Sequence, residues 1–331
     1  MFPVPPGRDA HTLVRAVRFH RAGGPEVVRL DDVAPPTGPV GDQLLVRTAA
    51  SSINGTDLGL RRGDMRVATL GRLPFTLGFD LSGTVERCGP DVTGFTRGDR
   101  VIALLGHGGG AQAELVTVRQ GRAAVAPASL DPTTAAGLPL AGLTALQALW
   151  RHGHVHLRPA GTRVLVIGAT GGIGAFGVQL AVQAGAHVTA LTRRASVGAA
   201  ADLGAHEVRA REDGPPGGAG ERWDVVLDTP GTATAASAST LLRDGGVLVT
   251  TRPVSRDAIL ARLRPRQLSG GRRFTAVMTA ARSQDLARLA RLVDQGRLRV
   301  PVDSVYGMQD AGLAHTRAES SPVGKVLVVM A

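Results

Sequence analysis

Six residues near the middle of the chain have the composition and spacing of a phosphate-binding turn. The stretch ATGGIG follows the apolar run Arg163–Ile167 and precedes a long apolar segment typical of a helix. Glycine at 171 would let a diphosphate approach the backbone, and glycine at 174 would let the helix pack closely on the strand. Amides at a helix N-terminus also attract phosphate charge. We therefore expect a dinucleotide site made by Ala169, Thr170, Gly171, Gly172, Ile173 and Gly174.

Ala169 stands where the first glycine of this motif usually lies, and an ordinary tight turn is the alternative interpretation. The next predicted strand distinguishes the two nicotinamide cofactors. Enzymes specific for NADH place Asp or Glu about 20 residues beyond the turn, on the ribose 2′-hydroxyl. Here Thr192, Arg193 and Arg194 follow the strand. Guanidinium groups suit a phosphate, so we expect NADPH; solvated surface arginines are the alternative.

Two kinds of secondary structure are predicted to position these residues. The first part of the chain has short strands separated by Gly, Pro and Asp, such as Leu44–Ala50 and Leu81–Cys88. From about Pro132 strands and helices alternate, which indicates βαβ units and a parallel sheet. The last segment returns to strand, short helix, strand. We therefore predict an α/β fold in which a doubly wound Rossmann sheet, residues 138–295, is inserted into a mostly β, partly open barrel made of residues 1–137 and 296–331.

Composition argues against several classes of function. The chain has 38 basic residues and a net charge of +11, but its arginines are scattered, so we do not expect a nucleic-acid partner. Cys88 is the only cysteine, which excludes an intramolecular disulfide and a cysteine-rich zinc site. No window approaches the roughly 18 apolar residues of a membrane span. The pattern favours a cytoplasmic protein that does not enter the membrane.

Several blocks in one order resemble the medium-chain dehydrogenase/reductase superfamily, in its zinc-independent quinone oxidoreductase (zeta-crystallin-like) branch. The blocks are SSINGTDLGLRRG (Ser51–Gly63), PFTLGFDLSGTVERCG (Pro74–Gly89), VTGFTRGDRV (Val92–Val101), AGLTALQAL (Ala141–Leu149), the ATGGIG turn and the tail VDSVY...GKVLVV. The resemblance runs nearly end to end. It implies a GroES-like catalytic domain around the Rossmann domain, hydride transfer from a nicotinamide, and a homodimer.

Zinc-dependent members of the superfamily carry a cysteine before a TD dipeptide and a GHE motif. Asn54 occupies the region of that cysteine, and Phe79 and Asp80 follow Gly78 where His and Glu would stand. Without such ligands we expect no metal. The histidines of HGHVH, at 152, 154 and 156, are expected in a surface connection rather than at a metal. His107 lies in an HGGG run, but no GxSxG nucleophile motif accompanies it.

The resemblance implies a small set of site residues. Asn54, Asp57, Arg61 and Thr144 are expected at or behind the substrate cleft, with Asn54 as the polar group that meets substrate. Asn54 and Asp57 could instead cap a helix that starts near Thr56. Further cofactor contacts are expected from Thr229, Thr250, Thr251, Met278 and Thr279. Many relatives have tyrosine two residues after the Asp, and Gly59 here predicts a wider pocket.

These expectations converge on a metal-free, NADPH-dependent reductase that adds hydride to a quinone or an α,β-unsaturated carbonyl. The wider pocket favours a bulky polycyclic or polyketide-type enone as acceptor. One alternative is an enoyl-thioester reductase, which shares the fold and the cofactor. Another, of a different class, is a protein that binds NADPH without turnover and acts in nucleic-acid or protein interactions.

Overall fold

The computed structural model describes residues 13–65, 73–106, 108–251, 260 and 265–330. The strands in these ranges are β1 (Val14–Phe19), β2 (Val28–Val33), β3 (Gln43–Ile53), β4 (Phe75–Thr76), β5 (Asp80–Cys88), β6 (Arg100–Leu104), β7 (Leu115–Arg119), β8 (Ala123–Val125), β9 (Arg163–Ile167), β10 (His187–Thr192), β11 (Glu207–Ala210), β12 (Trp223–Asp228), β13 (Leu242–Thr250), β14 (Arg266–Gln267), β15 (Arg273–Ala276), β16 (Val302–Gly307) and β17 (Lys325–Val329). The α-helices in these ranges are α1 (Gly55–Arg62), α2 (Pro132–Ala135), α3 (Pro139–Gln147), α4 (Gly172–Gln183), α5 (Val197–Ala201), α6 (Ala235–Leu241), α7 (Ser283–Asp294) and α8 (Ala311–Glu319).

The first domain is built mainly from antiparallel strands, and only β16 and β17 pair in parallel among its described strands. Its main sheet has the order β16-β17-β3-β5-β6-β8, and β7 also pairs with β3. The long strand β3 has β-bulges against β5, which bend the sheet toward a barrel. A small sheet of β2, β1 and β4 lies beside it. Because β17 pairs antiparallel with β3, the end of the chain rejoins the first domain.

The second domain contains the parallel sheet. Its strand order is β11-β10-β9-β12-β13-β15, with β14 antiparallel on the outer edge. The order reverses at β9, since β10 and β12 lie on either side of it. In doubly wound sheets ligands bind at this reversal, beyond the carboxyl ends of the strands. The ATGGIG turn directly follows β9 and therefore lies at this point.

Aliphatic side chains fill both cores, as the low aromatic content predicts. Strands β9, β12 and β13 carry Val and Leu on both faces because helices cover the sheet from both sides. One continuous cluster of buried residues extends from β1 through α3 to the parallel sheet, so the two domains share packing. Within the described ranges, no helix has the length and apolar content that a membrane crossing requires.

Candidate active site

The glycine-rich turn has no room for a side chain at its last glycine, Gly174. Helix α4 begins at Gly172, with Gly171 as its N-cap. A Cβ on Gly174 would lie 2.1 Å from the carbonyl oxygen of Gly168, so only glycine fits there. Gly168 itself has a φ of +74°, which favours glycine. The turn is thus shaped to bring the amino end of α4 against β9, the arrangement that a diphosphate requires.

Threonines surround this turn at the carboxyl ends of the neighbouring strands. The hydroxyls of Thr170 and Thr192 lie 2.7 Å apart and join the turn to the end of β10. Thr229 donates its hydroxyl to the carbonyl oxygen of Ile167 at 2.8 Å. Thr251 donates to the carbonyl oxygen of Thr229 at 3.2 Å. The structure therefore brings these four predicted residues together around β9, β10 and β12.

Thr250 differs from these residues because its hydroxyl oxygen is buried and has no hydrogen-bond partner among the described residues. It is the last residue of β13, beside Asp228 at the end of β12. Buried hydroxyls are normally paired, so an unpaired one is a feature that a bound molecule could satisfy.

The two arginines after β10 have partners of different kinds. The guanidinium of Arg193 donates to the carbonyl oxygen of Ser321 in the tail. Arg194 forms an ion pair with Asp213, and both side chains are more than 60% exposed. The backbone N–H of Arg194 also donates to the carboxylate of Glu212 at 2.9 Å. Acidic as well as basic groups therefore lie where the 2′-phosphate of NADPH is expected.

A second group of predicted residues lies on α3 and beyond β15. The hydroxyls of Thr144 and Thr279 lie 2.7 Å apart, although the residues are 135 positions apart in the chain. Gln147 fixes the same segment, because its side chain both accepts from and donates to the backbone of Ala280, each at 2.9 Å. Met278 is half-exposed. Gln147 was missed from the sequence, which had no signal for this contact.

Asn54 and Asp57 begin helix α1 in the manner of a capping pair. The carboxylate of Asp57 accepts the backbone N–H of Asn54 at 2.9 Å and that of Gly78 at 2.8 Å. Asp57 is completely buried, and burial raises its pKa to about 7 against the opposing effect of these two N–H donors. Asp57 therefore holds the Asn54 loop to Gly78 and does not face a cleft. Its position is the one expected if Asn54 and Asp57 cap the start of a helix.

Asp80 and Lys325 complete the surroundings of Asn54, and neither was among the predicted site residues. The Nδ2 of Asn54 donates to Asp80 Oδ2 at 2.9 Å, and Lys325 Nζ donates to Asn54 Oδ1 at 2.5 Å. Asp80 Oδ1 accepts the backbone N–H of Leu140 at 2.6 Å, which joins β5 to the start of α3. Burial lowers the pKa of Lys325, whereas the nearby Asp80 and Asp57 raise it.

Arg61 lies behind this group and connects helices. Its guanidinium is fully buried and pairs with Glu319 at the end of α8. Burial lowers the pKa of Arg61, and Glu319 opposes that effect. His315 on α8 is also buried, and burial followed by the charge of Arg61 lowers its pKa to about 3. The contacts of Arg61 thus hold α1 against α8, behind Asn54 rather than beside it.

The space beside Gly59 is partly filled. Gly59 is buried, and a Cβ there would lie 3.3 Å from the sulfur of Met65. The flexible thioether of Met65 therefore covers part of the volume that a larger side chain at position 59 would take. Met65 is 39% exposed, so it can move aside. A movement of Met65 would change the space beside Gly59.

The side chains near Asn54 do not fit a zinc ion. An ammonium contacts Asn54 Oδ1, and zinc needs neutral nitrogen, thiolate or carboxylate ligands in a tetrahedral set. No group of three or more His, Cys, Asp or Glu side chains suited to a metal occurs in the part of the chain that the structure describes. The ring of His156 lies 5.2 Å from that of Trp150, and His152 ends a π-helical turn. His107 lies outside the described residues.

Family models match two parts of the chain. Residues 41–128 match the alcohol dehydrogenase GroES-like domain, and residues 203–328 match a model described as zinc-binding dehydrogenase. The first range contains β3 to β8, and the second contains part of the parallel sheet and most of the returning tail. The description of the second model refers to zinc, but the side chains around Asn54 do not suit a zinc ion.

Several relatives that match over nearly the whole chain are quinone oxidoreductases. The chain is 31% identical to the quinone oxidoreductase of Sus scrofa over 92% of this chain and 93% of that protein. It is 29% identical to the chloroplastic quinone-oxidoreductase QR1 of Triphysaria versicolor over 96% of this chain and 99% of that protein. The solved quinone oxidoreductase from Coxiella burnetii has a TM-score of 0.85 and 26% identity, covering 96% of this chain and 99% of that one.

Proposed function

Because the chain belongs to the medium-chain dehydrogenase/reductase superfamily, in its quinone oxidoreductase branch, we propose that it reduces a quinone or an α,β-unsaturated carbonyl with NADPH. The chain is an NAD(P)H-dependent oxidoreductase of this family, and the proposal adds the choice of NADPH and the class of acceptor. It is carried by one observation: Asn54, an uncharged hydrogen-bond donor, is held by Lys325 and Asp80 in the region where zinc enzymes have a metal ligand. The activity proposed therefore needs a polar donor and no metal.

The turn and its neighbours fit a bound dinucleotide. The amides at the start of α4 would hold the diphosphate, and Arg193 and Arg194 would contact the 2′-phosphate. The unpaired hydroxyl of Thr250 offers a partner for a ribose or amide group. Bound NADPH would supply a hydride ion to the acceptor.

The acceptor needs stabilisation at its carbonyl oxygen, where negative charge develops as the hydride arrives. Asn54 is only partly buried, and its amide nitrogen can donate a hydrogen bond to that oxygen. The Thr144–Thr279 pair would line the opposite wall, and its short contact fixes both side chains in place. Fixed donors need little reorganisation during the reaction, which is the main source of their catalytic effect.

The size of acceptor that the site can hold depends on the side chains beside Gly59. Because Met65 is flexible and partly exposed, the site can accept bulky acceptors, and we propose polycyclic quinones or polyketide-type enones as the preferred class. We further propose that the protein acts in the cytoplasm, without membrane or nucleic-acid partners. As a homodimer it would pair through the outer edge of the second domain's sheet, at β14.

The test is an NADPH oxidation screen with three acceptor classes: simple and polycyclic quinones, enones, and enoyl thioesters. The proposed function predicts turnover with the first two classes and a strong loss of turnover in Asn54→Ala. Turnover confined to enoyl thioesters would instead identify an enoyl-thioester reductase. Tight NADPH binding without turnover of any class would identify a non-catalytic binding protein, and salt-sensitive RNA retention would then indicate its role.

A further inference from the structure

Lys325 is the only lysine in the chain. The other 37 of the 38 basic residues are arginine, so arginine serves nearly everywhere that this protein uses a positive charge. Lys325 is also buried, with 3% of its side chain exposed, whereas lysine is rarely fully buried unless paired. One position thus retains an ammonium group where the rest of the chain uses guanidinium.

The surroundings of Lys325 explain this choice. Its Nζ lies 2.5 Å from Asn54 Oδ1 and 3.7 Å from Asp80 Oδ2. A Cβ added to Gly172 would lie 3.1 Å from the Cδ of Lys325. The space is therefore narrow, and a planar guanidinium with five N–H donors would lack both room and partners.

Lys325 also connects the tail with the phosphate-binding turn. The backbone N–H of Gly324 donates to the carbonyl oxygen of Thr170 at 2.9 Å, and Gly324 forms a β-bridge with Gly171. The lysine thus lies between the turn, on one side, and the substrate residue Asn54, on the other.

The hydrogen-bonding chemistry of these neighbours permits one orientation of the Asn54 amide. An ammonium only donates, and an ionised carboxylate only accepts. Asn54 Oδ1 must therefore face Lys325, and Nδ2 must face Asp80, as observed. The reverse orientation would set two donors against each other and two acceptors against each other.

We propose that Lys325 is a positioning residue that fixes the Asn54 carboxamide so that its N–H group, not its oxygen, is presented to the acceptor carbonyl. One amide hydrogen is used by Asp80. The other has only long contacts, at 3.3 Å to the carbonyl oxygen and 3.4 Å to the hydroxyl oxygen of Ser52. It is the hydrogen that an acceptor can take. This inference rests on the proposed function.

The experiment is a double-mutant cycle of Lys325→Met and Asn54→Ala, with kcat, KM and NADPH affinity measured for each variant. If the lysine acts through Asn54, each single change lowers kcat by roughly ten- to hundredfold, the effect of losing a hydrogen bond to a charged group. The double variant then loses no more than the worse single variant. NADPH affinity stays close to wild type. Arg119→Met, which removes a charge from a 70% exposed side chain, is the control and leaves kcat unchanged.

Two results would overturn the proposal. Losses that multiply in the double variant mean that Lys325 acts independently of Asn54. Weaker NADPH binding with kcat retained at saturating cofactor means that the lysine serves the cofactor instead. Neither result bears on whether the wild type turns over quinones, so the proposed function is judged separately.

A second measurement needs no activity and no change at Lys325. Protein labelled with [15N]lysine has a single side-chain Nζ resonance, because the chain has one lysine. We expect this resonance to shift clearly in Asn54→Ala and not in Gln120→Ala, which removes a distant amide. An unchanged Nζ resonance in Asn54→Ala contradicts the contact on which the proposal depends, even if Lys325→Met does not fold or the wild type proves inactive.

Discussion

Removal of both Arg193 and Arg194 is expected to abolish the proposed preference for NADPH while leaving NADH binding nearly unchanged. The two residues directly follow β10, next to the turn, and no carboxylate occupies 192–194 to bind a free ribose hydroxyl. Only the 2′-phosphate distinguishes the two cofactors at this place. The double Ala variant therefore affects one cofactor selectively.

The size of the expected loss in NADPH affinity follows from the contacts that each arginine gives up and gains when NADPH binds. Contacts between a guanidinium and a phosphate contribute about 1.5–3 kcal/mol. Arg194 must first leave Asp213, and an exposed pair of this kind contributes only about 0–1 kcal/mol. For Arg194 the net gain of roughly 0.5–3 kcal/mol corresponds to about a twofold to 150-fold weaker NADPH affinity, and the loss of Arg193 adds to this effect in the double variant.

The assay is titration of the protein with NADPH and NADH, followed by NADPH- and NADH-dependent turnover. Arg222 and Arg243 together changed to Ala are the matched control, since both lie at the amino ends of β12 and β13, away from the turn. Asp213→Ala releases Arg194 and is expected to tighten NADPH binding by up to about fivefold. Equal weakening of both cofactors, or no change, refutes the reasoning.

Three other predictions test the site. The folded state holds the Asp57 proton more tightly than the unfolded chain does. The free energy of unfolding is therefore expected to fall as pH rises toward 7, by at most about 1.4 kcal/mol per pH unit. Urea unfolding at several pH values should show this slope in the wild type and not in Asp57→Asn. Gly174→Ala forces a Cβ against the turn and is expected to cost about 1–3 kcal/mol and most NADPH affinity, measured by thermal unfolding and titration. Gly198→Ala lies in helix α5 where space is open, and it is expected to lower neither stability nor NADPH affinity. Gly59→Tyr is expected to lower kcat/KM for polycyclic acceptors more than for small quinones, and an equal effect on both contradicts an adjustable pocket.

The parallel sheet could be predicted closely because its signals are local. The apolar run 163–167, which precedes the ATGGIG turn, lies within β9. Runs of Val and Leu bounded by Gly and Asp are sufficient for such elements. Helix α4 starts at Gly172, inside the ATGGIG turn rather than after it, because helix boundaries depend on the cap rather than on apolar periodicity.

The polar network was only partly predictable because its members are far apart in sequence. Lys325 contacts Asn54 across 271 positions, and Arg61 pairs with Glu319 across 258. Apolar patterns position elements but do not say which charged side chains share a buried space. A signal for Lys325 did exist, since a single lysine among 37 arginines indicates a position where arginine does not fit.

The charges in this network suggest why the Asp57 proton matters to the site. Two buried carboxylates and one ammonium carry a net negative charge when all are ionised, and burying net charge is costly. Protonation of Asp57 makes the group neutral, in agreement with its raised pKa. Lys325 and Asp80 then remain as an oppositely charged pair that fixes Asn54. Above about pH 7 the extra negative charge returns close to the place where the acceptor itself becomes negative, so kcat is expected to fall with rising pH in the wild type and to stay level in Asp57→Asn.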